Sequence, residues 1–156
     1  MNHLIMSLLK DTEEIIVRDL RAMKQELELT KPELLWKAEP GVINSVGTLS
    51  YHICGNLRHF IGATLGNDGY LRDREAEFNK QDFSLEELLG TIDETIVSVQ
   101  NAFTILTEAD LEREMPDTPP QHKGRTIGFF LIQLCCHLSR HRGQLDYLRR
   151  ISAAKI

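Results

Sequence analysis

The stretch Thr126-Ile127-Gly128-Phe129-Phe130-Leu131-Ile132-Gln133-Leu134-Cys135-Cys136-His137-Leu138-Ser139-Arg140-His141-Arg142-Gly143-Gln144-Leu145 decides how this chain folds. Ile127, Leu131, Leu134, Leu138, Leu145 and Leu148 recur at alternating gaps of four and three once His141 fills the place between Leu138 and Leu145. That is the core stripe of an amphipathic helix, expected over about 126–151. His141 thus takes a position the pattern reserves for leucine, and His137, one turn earlier, lies on the same side. An imidazole turned into a bundle gives up hydrogen bonds to water, and an unpaired buried polar group costs about 1–3 kcal/mol. A metal ion satisfies both rings, because neutral imidazole is a common ligand and i, i+4 histidines hold one ion from a single face. Hydrogen bonding to backbone or carboxylates is the alternative.

Working outward, a second polar line accompanies the apolar face of an earlier helix. Asn44 or Ser45 caps it, Val46, Leu49, Ile53, Leu57, Phe60 and Ile61 form its inner face, and it runs to Leu65 before Gly66-Asn67-Asp68-Gly69. His52 lies in angle between Leu49 and Ile53, with Asn56 and His59 following on nearly the same line. A solvated polar stripe is the plain reading of these three residues. The apolar neighbours of His52 favour an inward placement for it and leave His59 as a pocket-lining reserve. His52, His137 and His141 thereby become candidate ligands from two helices. Three imidazoles leave coordination positions open, whereas structural zinc sites are normally closed by four protein ligands. Asn56, His59 and Gln144 are candidates to orient ligands or substrate from behind.

The remaining helices supply scaffold. The first is expected from His3 to Leu29, with Ile5, Leu9, Thr12, Ile16, Leu20, Met23 and Leu27 inside, ending at Thr30-Lys31-Pro32. His3 reads as a solvated surface residue. Trp36 reads as a packing plug, with a pocket wall as the alternative. Ser84-Leu85-Glu86-Glu87 is a capping box that starts the third long helix, whose seam of Leu85, Leu89, Ile92, Ile96, Val99, Phe103 and Leu106 contains no polar residue. The charged run from Leu71 to Phe83 reads as a solvated connector, long enough to cross from one end of a bundle to the other. Thr107 to Arg125, with Pro116, Pro119, Pro120 and His122, reads as a surface loop placed to form a rim or lid.

Composition narrows the function classes. At 156 residues and 17.8 kDa the chain suits one domain over 1–156. A net charge of −5 with both signs scattered offers no basic face for a phosphate backbone, so nucleic acid is not expected as a partner. No apolar run is long enough to span a bilayer, and Met1 to Leu9 is too short for a secretory signal, which points to the cytoplasm. Cys54, Cys135 and Cys136 form no disulfide framework and read as small apolar groups. As ligands they are poorly aimed, since Cys136 is rotated by about 100° from His137 and Cys54 by about 200° from His52 on an ideal helix.

The run Leu49-Ser50-Tyr51-His52-Ile53-Cys54-Gly55-Asn56-Leu57-Arg58, then Arg72-Asp73-Arg74-x-x-Glu77-Phe78, then His137-x-x-x-His141-Arg142-Gly143-Gln144-Leu145 resembles the DinB/YfiT-like superfamily over nearly the whole chain. The resemblance implies an all-α four-helix bundle of up-down-down-up order, with a long connection between the second and third helices. It carries the family's metal-binding histidines onto His52, His137 and His141, and implies zinc or nickel and a homodimer. It implies two kinds of function. One is an enzyme that activates a low-molecular-weight thiol or a water, of the S-transferase or hydrolase type, on a small-molecule substrate. The other is a non-catalytic, stress-related bundle whose metal or histidine cluster supports folding or dimer assembly. Fold alone does not choose between them.

Overall fold

Helix α1 (Asn2–Glu28) ends before the expected Thr30-Lys31-Pro32 break, and Leu9, Thr12, Ile16, Leu20, Met23 and Leu27 are all buried along it. The computed structural model describes the backbone of residues 2–154 and the side chains of residues 8–154, so His3 and Ile5 lie outside the described side chains. Ser45 caps α2 (Val46–Leu57), its Oγ accepting from Thr48 N–H at 3.1 Å. The chain continues from α2 through a π-helical turn, Arg58–Ala63, where Thr64 N–H reaches back to the His59 carbonyl at 2.9 Å. Helix α4 (Leu85–Ile105) starts at the expected capping box, with Ser84 and Glu87 bonded reciprocally. Thr126 caps α6 (Ile127–Ala153), on which Ile127, Leu131, Leu134, Leu138, Leu145 and Leu148 are buried.

Side-chain pairings fix the directions of these four long helices. Asp19 of α1 faces Arg142 of α6 at 3.6 Å, and Glu26 pairs with Arg149, so α1 and α6 run parallel. On α2 and its extension, Gly62 lies against Ser98 and Gly66 against Ala102, so this segment runs parallel to α4. Across the bundle His52 meets His137 and His141 while Phe60 meets Phe130, so α2 and α6 are antiparallel. The order is up-down-down-up, as the long connection between α2 and α4 allows.

Three expectations need correction. The connector between Leu71 and Phe83 contains a short helix, α3 (Arg74–Asn79), capped by Asp73, whose Oδ1 accepts from Ala76 N–H at 2.9 Å. Its buried side chain is Glu77, 1% exposed. A helix this short carries almost no periodic signal, and the residue it buries is one that hydropathy places outside. On α4 Ile92, Ile96, Val99 and Phe103 of the expected seam are buried, but the rest of the buried face differs from it. Leu88, Thr95, Ser98 and Ala102 are buried, whereas Leu85, Leu89 and Leu106 are only half-buried. Its two buried hydroxyls are satisfied, Thr95 donating to the Thr91 carbonyl at 2.7 Å and Ser98 to Asp68 Oδ2 at 2.6 Å. The third correction concerns the loop before α6. It holds a one-turn helix, α5 (Glu108–Leu111), and an antiparallel bridge between Glu114 and Thr126. Leu111 and Met115 anchor it in the core.

Cys54 is buried, Cys135 half-buried and Cys136 exposed, all as free thiols. Burial pushes Cys54 up to about 12 and Cys135 up to about 11, so neither is a ready thiolate. Among the described residues no helix is long and apolar enough to cross a membrane.

The capping box gives the fold a simple test. Ser84→Ala removes the acceptor for Glu87 N–H and is expected to cost about 1 kcal/mol, read as a lower urea midpoint with unchanged slope.

Candidate metal centre

His52 comes from α2, and His137 and His141 come from adjacent turns of α6. The antiparallel packing of these helices brings the three rings together, with one nitrogen from each lying within 4.8 Å of the others. His137 Nε2 and His141 Nε2 are 3.1 Å apart. His52 is buried, while His137 and His141 are half-buried. The leucines on either side of His141 in the stripe are fully buried, so His141 stands where the core opens into a cavity.

The atoms behind these rings determine which nitrogen each presents. Glu77 Oε2 accepts from His52 Nδ1–H at 2.8 Å, which leaves the His52 Nε2 lone pair free. Arg72 grips the same carboxylate through Nε to Oε1 at 2.6 Å and Nη2 to Oε2 at 2.9 Å. Burial alone would raise the proton affinity of Glu77. The hydrogen bonds from Arg72 and His52 outweigh it and hold the carboxyl below the usual range, so it remains an anion. On α6, Gln144 Oε1 accepts from His141 Nδ1–H at 2.7 Å and again leaves Nε2 free.

Burial, joined by the neighbouring His141, His52, Arg140 and Arg72, lowers His137 to about 3. Burial also lowers His141, against an opposing contribution from its bond to Gln144. Both rings are therefore neutral ligands at physiological pH.

This donor set fits a divalent first-row cation. Two imidazole lone pairs at 3.1 Å repel unless a proton or a cation lies between them. The buried His137 Nδ1 has no hydrogen-bond partner among the described residues, so this ring is not held in place as an ordinary satisfied core histidine. Three imidazole nitrogens suit such a cation, and they do not suit calcium or magnesium, which take oxygen ligands. Among the described residues no cysteine or carboxylate joins the cluster.

A cavity of about 830 Å³ opens over the three rings, with Phe60, Phe78 and Phe130 as its aromatic wall. The loop before α6 forms its rim through Asp117 to His122, matching the expected rim or lid. Asn56 lines the cavity, 8% exposed, and its Oδ1 has no hydrogen-bond partner among the described residues. His59 lies within the π-helical turn and pairs with Asp117 at 2.9 Å, away from the cluster. His122 lies tilted to Phe129 and edge-on to Phe130 on the rim and supplies no atom to the cluster. Trp36 packs over Gly47 and donates its indole N–H to the Phe83 carbonyl at 2.9 Å. It is a plug and does not line the cavity.

Sequence reasoning left out the Arg72–Glu77 support. Two signals could have found it: Arg72 and Glu77 lie within the Arg-Asp-Arg-x-x-Glu-Phe run, and Gly55 stands three residues after His52. A Cβ at position 55 would overlap Glu77 Oε1, so glycine there lets the carboxylate reach the back of His52.

The fold and the cluster define a helical bundle with an open three-histidine site able to hold a divalent cation. The chain belongs to the DinB superfamily, whose family model matches residues 17–145, a span that includes all three histidines and Glu77. A search of the curated proteins found no match.

Substituting the outer partners should weaken metal binding without unfolding the bundle. Glu77→Gln is expected to lower zinc affinity about 10–100-fold in competition with a chromophoric chelator; unchanged affinity would remove Glu77 from the site. Gly55→Ala should act in the same direction by displacing Glu77, even though alanine favours the helix by about 1 kcal/mol.

Proposed function

We propose that this chain is a metal-dependent enzyme in which His52, His137 and His141 hold one divalent ion, zinc or nickel, and a small-molecule substrate reacts in the cavity above them. The observation that carries the reading is an open donor set, three imidazole nitrogens on the wall of a cavity of about 830 Å³ with no further protein ligand among the described residues. A cation held there supplies the Lewis acidity that activates a low-molecular-weight thiol or a water near neutral pH, for S-transfer or hydrolysis.

The chain's own residues have separable parts in this reading. Glu77 and Gln144 fix the two imidazoles they bond, so that Nε2 of each faces the reaction space. Phe60, Phe78 and Phe130 keep bulk water from one side of it. On the strength of the resemblance the reading extends to a homodimer, and on the charge pattern and the length of the apolar runs to a cytoplasmic protein that engages neither nucleic acid nor membrane.

The competing reading is a non-catalytic bundle in which the cluster ties α2 to α6 for folding or dimer assembly. The two are separable because a structural ion contributes its binding free energy to folding. Elemental analysis of untagged protein is expected to give about one equivalent of zinc or nickel, lost in both His52→Ala and His141→Ala. Chelation should then abolish thiol-transfer or hydrolase turnover with little change in melting temperature. A parent protein that takes up neither metal sinks the metal reading; a large fall in melting temperature with no turnover in any thiol or hydrolase assay favours the structural one.

A further inference from the structure

The cavity wall carries more positive charge than the histidine cluster needs. Three arginines line it, Arg72, Arg74 and Arg140, against one carboxylate, Asp117. Their states differ. Arg72 is 11% exposed and spends two nitrogens on Glu77, so its charge is matched. Asp117 is engaged by His59 at the rim. Arg74 and Arg140 are exposed and make no ion pair among the described residues. Arg140 precedes His141 by one residue on α6, and Arg74 opens α3, so the two arginines line the cavity from different elements.

Exposed arginines are ordinary on a surface, and the second observation is what gives this pair meaning. Asn56, one helical turn beyond His52, lines the same cavity and is more than nine-tenths buried. Its enclosed Oδ1 has no hydrogen-bond partner among the described residues, which leaves the N–H₂ end of the amide for the cavity. An amide N–H donates, so its partner must bring an acceptor oxygen. Guanidinium forks likewise take carboxylate or phosphate oxygens in pairs. The aromatic wall between them suits an apolar body.

We propose that the cavity binds a small organic anion whose carboxylate or phosphate is received by Arg140 and Arg74, while the Asn56 Nδ2–H donates to an acceptor oxygen of the same molecule beside His52. This rests on the proposed use of the cavity as the reaction space and assigns the charge class of what enters it. An anion so held has its polar centre next to the three imidazoles.

The test titrates the whole protein, as purified and after metal stripping, with succinate and with phenyl phosphate, using succinamide and benzyl alcohol as uncharged controls. Binding is followed by NMR of the Asn56 side-chain amide and the arginine Nε–H groups, and metal content is measured in parallel. At least one anion is expected to bind the stripped protein, more weakly as salt rises, and the preferred anion separates the carboxylate from the phosphate source. The double variant Arg74→Gln, Arg140→Gln should weaken that binding by about tenfold and keep the metal content of the parent. Asn56→Ala should weaken it while leaving the salt dependence unchanged. Failure of both anions to bind, equal binding of the uncharged controls, or anion binding that needs the metal and ignores the arginine substitutions would each overturn the proposal. Metal content reports separately on the histidine site, so the loss of one reading does not carry the other with it.

Discussion

The candidate site depends on a buried carboxylate held between a guanidinium and an imidazole. Glu77 is 1% exposed, and an ionised carboxylate in that position is tolerated only when its oxygens are fully engaged. Arg72 takes both oxygens and His52 takes one of them. Each partner answers a different need: the guanidinium compensates the charge, and the imidazole turns the arrangement toward function by fixing its own tautomer. Removing either would leave a buried charge short of a partner, so the same contact that orients a ligand also fastens α3 to α2. The connector is thereby part of the site, although it is a short link in the chain.

The helix directions explain why this support can exist. With α2 and α4 parallel, the chain must travel back along the bundle between them, and the return path passes behind His52. A short loop would have joined antiparallel neighbours and placed nothing there. Gly55 completes the arrangement by leaving no Cβ where Glu77 lies. Topology, a glycine and a charged connector, each unremarkable alone, together build the layer behind one ligand. The π-helical turn that follows has a comparable effect on His59. That residue lies in line with His52 and Asn56 on an ideal α-helix, but it pairs with Asp117 at the rim.

Much of the bundle was legible in the sequence because apolar periodicity survives translation into burial. The leucines of the α6 stripe and the α1 stripe from Leu9 to Leu27 lie inside as spaced, and the capping box at Ser84 starts α4 where expected. His52, His137 and His141 were legible because each breaks or borders such a stripe. Glu77 was not, because a buried carboxylate has the composition of a surface residue and α3 is too short for a period to show. The face of α4 was misjudged for a related reason. Leu88 and Leu89 are adjacent leucines, and Thr95 and Ser98 can be buried because their hydroxyls find acceptors, one of them on the preceding turn of the same helix. Gln144, a candidate to orient a ligand, bonds His141 because a residue three positions on shares its helix face.

The three imidazoles are not equivalent, and the difference comes from what stands behind each ring. His52 donates to an anion, which makes its free nitrogen the most electron-rich of the set. His141 donates to a neutral amide, which orients the ring with less electronic effect. His137 has no partner at Nδ1 among the described residues, and its Nε2 lies 3.1 Å from that of His141. The cluster is graded from a ring fixed through a carboxylate, through one fixed by an amide, to one whose polar contact among the described residues is another imidazole. The ring held by an anion stands on α2 beside Asn56, and the ring without support at Nδ1 lies on α6 facing it, so the asymmetry of the cluster runs from one helix to the other.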